Sequence, residues 1–124
     1  MLNRNTFQKD LVIKAAKELA NHPTPEEIYN YVRERCPNIS KGTVYRNIGV
    51  LAGEGVLKKI EIPNAPDRVD YNTSDHYHII CNACGRVFDI NFPFFDDMAV
   101  PENTQGFRIL SHDIMFKGIC PKCQ

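Results

Sequence analysis

Two Cys-x-x-Cys pairs, Cys81–Cys84 and Cys120–Cys123, bracket the last third of the chain and constrain its folding more than any other feature. Each pair can clasp one edge of a tetrahedron, so four thiolates spaced this way match a structural Zn²⁺ site. The second pair lies where a chain normally frays, and a metal there would pin it. The ordinary alternatives are a disulfide or a set of buried thiols. The opening residues MLNRNTFQKD lack the apolar run of a signal peptide, which points to a cytoplasmic, reducing setting. Reduced thiols favour metal or redox chemistry over covalent staples. A thioredoxin-type site needs only one pair beside a βαβ pattern, and that pattern is missing. Iron in the same four sulfurs, as in a small redox protein, is the rival reading. Cys36, followed by Pro37, carries no assigned role.

The 124 residues fit one medium domain or two small ones. No apolar run is long enough for a membrane span. Net charge is zero, which by itself argues against a nucleic-acid binder. The distribution is uneven, however. Residues 1–70 hold 11 Lys+Arg against 9 Asp+Glu, and residues 71–124 hold 4 against 6. The N-terminal half is thus the one expected to face an anion.

Thr6 can cap a first helix in which Phe7, Leu11, Val12, Ala15 and Leu19 recur at helical spacing. Thr24-Pro25-Glu26-Glu27 is a capping box with Pro at the first helical position. Ile28, Tyr31 and Val32 give that second helix an apolar face, and Cys36-Pro37 ends it. Ser40 starts a third helix with Val44, Ile48, Leu51 and Ala52 inward and Gly55 as its stop. Residues 56–62 and 68–71, separated by a Pro- and Asn-containing turn, read as a hairpin. Three helices and a hairpin make a winged helix-turn-helix, whose third helix enters the DNA major groove. Its outward positions are expected to be Lys41, Thr43, Tyr45, Arg46 and Asn47, residue types that contact phosphates and base edges. Such an assembly can also serve only as a small core or a protein contact.

His76 and His78 stand just before Cys81 and would share one face of a strand, so two imidazoles can meet one ion. Asp70 lies upstream, Asp89 follows the first Cys pair, and His22 precedes the second helix. Imidazole and carboxylate donors suit Fe²⁺, Mn²⁺ or Zn²⁺. Spacing alone does not recruit His22 or Asp70, and His112 reads as an ordinary surface or core residue. Residues 86–90, 107–111 and 114–119 read as strands. Between them, residues 91–106 allow at most about two helical turns between Pro93 and Pro101. A unit this small has little core of its own, so zinc and dimerisation would each compensate. The expected organisation is α+β: a winged helix-turn-helix over 1–72, then a small α/β dimerisation and metal-binding domain over 73–124 with the four-cysteine zinc site.

Asn21-His22-Pro23-Thr24, Thr43-Val44-Tyr45-Arg46-Asn47, Thr73-Ser74-Asp75-His76-Tyr77-His78, Cys81-x-x-Cys84-Gly85 and Cys120-x-x-Cys123 occur in one order along nearly the whole chain. With these motifs the chain resembles the ferric uptake regulator (Fur) family, and most closely its peroxide-sensing PerR branch. The resemblance implies a homodimeric transcriptional repressor, not an enzyme, that binds double-stranded operator DNA. It implies structural zinc on the four cysteines and a regulatory Fe²⁺ or Mn²⁺ on His22, Asp70, His76, His78 and Asp89. Asp89 tilts the match to the peroxide branch, since iron sensors more often carry Glu there. It further implies that peroxide oxidises a ligand histidine, here His22 or His76. A close alternative is an iron, manganese or zinc uptake regulator without peroxide chemistry. Family members usually carry another DNA-contacting helix before the one placed after Thr6, and a longer helix where residues 91–106 stand.

Overall fold

The computed structural model describes residues 4–19, 22–74, 76–90, 104–110, 112 and 114–124. Two compact units divide the chain, Met1–Ser74 and Asp75–Gln124.

In the first unit the order is α1 (Arg4–Glu18), α2 (Pro25–Arg35), α3 (Lys41–Gly53), β1 (Lys58–Ile60) and β2 (Arg68–Asp70). The start of α2 follows directly from its sequence. The Glu27 amide donates to Thr24 Oγ1 (3.2 Å), and the Thr24 amide donates back to Glu27 Oε1 (3.3 Å). Two amides that a helix end leaves unpaired are thereby satisfied. Ser40 caps α3 through the Thr43 amide (3.1 Å), and Gly55, at φ 78°, takes the left-handed turn that ends it.

The start of α1 differs from expectation. The helix is already formed at Arg4, so Thr6 sits inside its first turn rather than at the cap. Phe7 is 46% exposed, whereas Gln8 is buried with Leu11, Val12, Ala15 and Ala16. Residues 8, 11, 12 and 15 are one helical stripe, and Phe7 falls at its edge. That stripe packs with Ile28 and Val32 of α2 and with Val44, Ile48 and Leu51 of α3. Strands β1 and β2 pair antiparallel, with Lys58 opposite Asp70, and Val69 is fully buried in the same core.

The second unit is a three-stranded sheet in the order β4 (Val87–Ile90), β3 (Tyr77–Cys81), β5 (Met115–Gly118). Strand β4 runs antiparallel to β3, and β5 runs parallel to it. The expected strand at 107–111 is not formed over its described residues 107–110, which lack regular structure. Phe107 and Leu110 are 75% and 82% exposed, so apolar composition there finds no ladder to join. Residues 91–103, where a Pro-limited helix was expected, lie outside the described residues, as does Ser111.

Candidate metal centres and nucleic-acid interface

Sheet register assembles the four cysteines. Cys81 ends β3 opposite Gly118 of β5, so the chain delivers Cys120 to it two residues later. Gly85, at φ 76°, closes the turn after Cys84, and its amide donates to the Cys81 carbonyl (2.8 Å). A short 3₁₀ turn, Pro121–Cys123, brings the last cysteine back. The four sulfurs lie within 4.8 Å of one another, and Cys84 Sγ is 3.9 Å from Cys120 Sγ. Tetrahedral Zn–S bonds of about 2.3 Å require sulfurs about 3.8 Å apart, so the cluster is compatible with zinc.

Its electrostatics point the same way. The amides of Cys120 and Cys84 donate to Cys81 Sγ (3.3 and 3.4 Å) and pull its thiol down to about 6. Cys123, hydrogen-bonded to Cys120 and then desolvated, is pushed up to about 12. Thiolates this close cannot all ionise unaided. A dication removes that conflict.

Each unit brings nitrogen and oxygen donors together. In the second, His78 of β3 stands directly opposite Asp89 of β4, and its Nε2 is 3.3 Å from Asp89 Oδ1. His76 Nε2 reaches the same oxygen at 3.0 Å, and the two imidazole centroids are 4.4 Å apart. His76 lies one residue before β3 rather than within it. In the first unit, His22 Nδ1 is 3.7 Å from Asp70 Oδ1. The sequence gap between them is bridged by two hydrogen bonds: the Val69 amide donates to the Pro23 carbonyl (2.8 Å), and the Arg68 side chain donates through Nη1 to the His22 carbonyl (3.3 Å). Asp70 is almost wholly buried and also accepts from the Asn72 amide (2.9 Å). Sequence periodicity could not reveal this pair, because a hairpin edge and a loop carry no shared period.

On α3, Lys41, Tyr45 and Arg46 are exposed and Thr43 is half-buried. Asn47 is different. It is 4% exposed and faces the core beside Val44 and Leu51, so it is not an outward residue. Its spacing held the signal, since 47 is three residues after Val44 and four before Leu51.

The ferric uptake regulator family model matches residues 3–117. The peroxide operon regulator of Bacillus subtilis is 33% identical over 121 residues, covering 97% of this chain and 83% of that protein. The peroxide-responsive repressor PerR of Staphylococcus epidermidis is 32% identical over 122 residues, covering 98% and 81%. Among solved structures, the Campylobacter jejuni peroxide stress regulator superposes with a TM-score of 0.73 at 27% identity, covering 97% of this chain and 91% of that one. The Helicobacter pylori ferric uptake regulator Fur gives a TM-score of 0.72 at 25% identity, covering 97% and 81%. With the family model spanning residues 3–117 and a relative 33% identical over 97% of its length, the chain belongs to the ferric uptake regulator family.

Proposed function

We propose that this protein is a metal-dependent, DNA-binding transcriptional repressor that responds to peroxide. Among the described residues no helix is long and apolar enough to cross a membrane. Members of the family are transcriptional regulators rather than enzymes, and the relatives named above are peroxide regulators. The observation that carries the reading is the paired donor sets: His76 and His78 on Asp89 in one unit, His22 on Asp70 in the other. Such N/O donors fit Fe²⁺ or Mn²⁺, whereas the four thiolates fit zinc.

One regulatory ion shared by His22, Asp70, His76, His78 and Asp89 would hold the two units in a fixed relation. A homodimer fixed in this way would present two α3 helices at the spacing of two operator half-sites, with Lys41, Thr43, Tyr45 and Arg46 on DNA. Linkage then makes metal and DNA strengthen each other equally. Fe²⁺ held by His22, Asp70, His76, His78 and Asp89 would supply one-electron chemistry toward peroxide, and the imidazole ring would be what is oxidised. One peroxide oxygen enters a ring carbon of His22 or His76, and the other leaves as water. The altered imidazole loses its donor geometry and DNA is released. Zinc does no redox chemistry, so Cys81, Cys84, Cys120 and Cys123 on zinc are protected from the same oxidant.

The test is anaerobic loading with Fe²⁺, addition of stoichiometric peroxide, and measurement of intact mass and operator affinity. A gain of one oxygen on His22 or His76 with lost DNA binding is expected. Unchanged mass and affinity would leave a metal sensor without peroxide chemistry, and no gel shift with or without Mn²⁺ would sink the repressor reading.

A further inference from the structure

The chain reaches the end of the first unit through two hydrogen-bonded turns set end to end. Asp70 is the last residue of β2, and its side chain is wholly buried. Its Oδ1, the atom 3.7 Å from His22 Nδ1, accepts from the Asn72 amide at 2.9 Å. Asn72 then repeats the pattern. Its Oδ1 accepts from the Ser74 amide (3.1 Å) and from the Ser74 hydroxyl (2.6 Å). Reaching the amide two residues ahead is the turn that Asp and Asn side chains are suited to make.

The two turns differ in what supports them. Tyr71, Asn72, Thr73 and Ser74 are all exposed, Tyr71 by 54%, so burial does little to hold this stretch against Asp70. The Asn72 amide meets Asp70 Oδ1 only while the backbone stays folded back after β2. What closes the chain immediately beyond that point is the Asn72 side chain on Ser74. A buried carboxylate is costly unless its hydrogen bonds are made, so a lost amide would favour a different orientation of Asp70. The bond is also compatible with a cation, because one amide leaves a carboxylate further lone pairs.

We propose that Asn72 is a positioning residue for the regulatory ion. By tying Ser74, its side chain keeps the Asn72 amide on Asp70 Oδ1, and so keeps that oxygen beside His22 before an ion arrives. A ligand already oriented loses less freedom at capture, which strengthens binding. The inference rests on the reading above that Asp70 is a ligand. Asn72 itself touches no ion and acts through Asp70.

The experiment uses the full-length, zinc-loaded protein. Without Mn²⁺, hydrogen exchange is followed at the amide of residue 72, each variant being referred to its own unfolded rate. Asn72→Ala should lower protection there about three- to tenfold, the scale of one hydrogen bond. Thr73→Ala, in the same stretch, should leave it unchanged, and Asn72→Asp, which keeps an acceptor at Oδ1, should restore it. Protection of Val44 and Ile48 in α3 should be the same in all variants, which a general loss of stability would not allow. Isothermal titration with Mn²⁺ should then show binding about three- to tenfold weaker in Asn72→Ala. Unchanged Mn²⁺ affinity in Asp70→Asn would remove Asp70 from the ligand set and take this proposal with it. Weakened binding in Asp70→Asn, with wild-type affinity or wild-type protection at residue 72 in Asn72→Ala, would overturn the positioning role alone.

Discussion

Removing zinc should unfold the second unit and spare the first. Among the described residues, buried apolar side chains in the second unit are Tyr77, Cys81 and Val87, against fourteen in the first. A sheet with so few buried groups cannot offset the backbone entropy of ordering its strands, about 1–2 kcal/mol per residue. Four-thiolate zinc contributes about 10–16 kcal/mol of folding free energy in small metal-stabilised domains, which exceeds what this sheet can hold alone. A loss of only about 5 kcal/mol lowers amide protection more than a thousandfold, at about 1.4 kcal/mol per factor of ten. The readout is hydrogen exchange after chelation under reductant, with zinc content verified. The Cys81 amide donates to the Arg86 carbonyl (2.9 Å) and the Asn82 amide to the Gly118 carbonyl (2.8 Å), so both report on the sheet. Both should exchange at nearly unfolded rates while Val44 and Ile48 in α3 stay protected. Zinc-free protein that keeps the Cys81 and Asn82 amides protected would refute the argument.

Asp89→Asn should weaken Mn²⁺ binding by more than about tenfold, because one carboxylate meets both His76 and His78; isothermal titration would show it, and unchanged affinity would remove Asp89 from the ligand set. Thr24→Ala should cost about 1 kcal/mol in urea denaturation by breaking the capping box of α2, and a change near zero would mean the box adds nothing. Ile28→Ala, at a fully buried core position, should cost about 2–5 kcal/mol in the same assay. The Tyr31 phenol donates to Glu18 Oε2 (2.5 Å), which holds its ionisation above 10. This bond adds stability below the phenol's unfolded pKa that is lost as pH rises through the raised value. Glu18→Gln should bring the phenolate absorbance titration back toward 10.

Where local chemistry dictates structure, the sequence was readable. The capping box at Thr24, the Ser40 cap and the Gly55 stop all depend on residues within one turn of each other. The four cysteines were readable because metal geometry restricts ligand spacing. The Thr6 cap was misplaced because a threonine near a helix start is equally at home within the first turn. Asn47 was read as outward by its polarity, against its place on the Val44–Leu51 stripe. Residues 107–110 have strand-like composition, but a ladder needs a partner edge, and composition does not name one. The His22–Asp70 pair depends on a tertiary contact through Pro23 and Val69, which no local pattern encodes.

His22 holds a left-handed backbone, φ 56°, in a side chain that is not glycine. That conformation costs about 1–2 kcal/mol, and the bonds that the His22 and Pro23 carbonyls accept from Arg68 and Val69 of β2 maintain it. The cost falls on folding rather than on metal capture, so the proposed ligand is held ready by the core of the first unit. A substitution that relaxes the loop, such as His22→Gly, should therefore yield a sturdier domain with a poorer metal site. Conversely, core lesions far from any ligand should dull the metal response before they abolish the fold. On the proposed reading, metal sensitivity is in this sense a property of the thermal stability of the first unit.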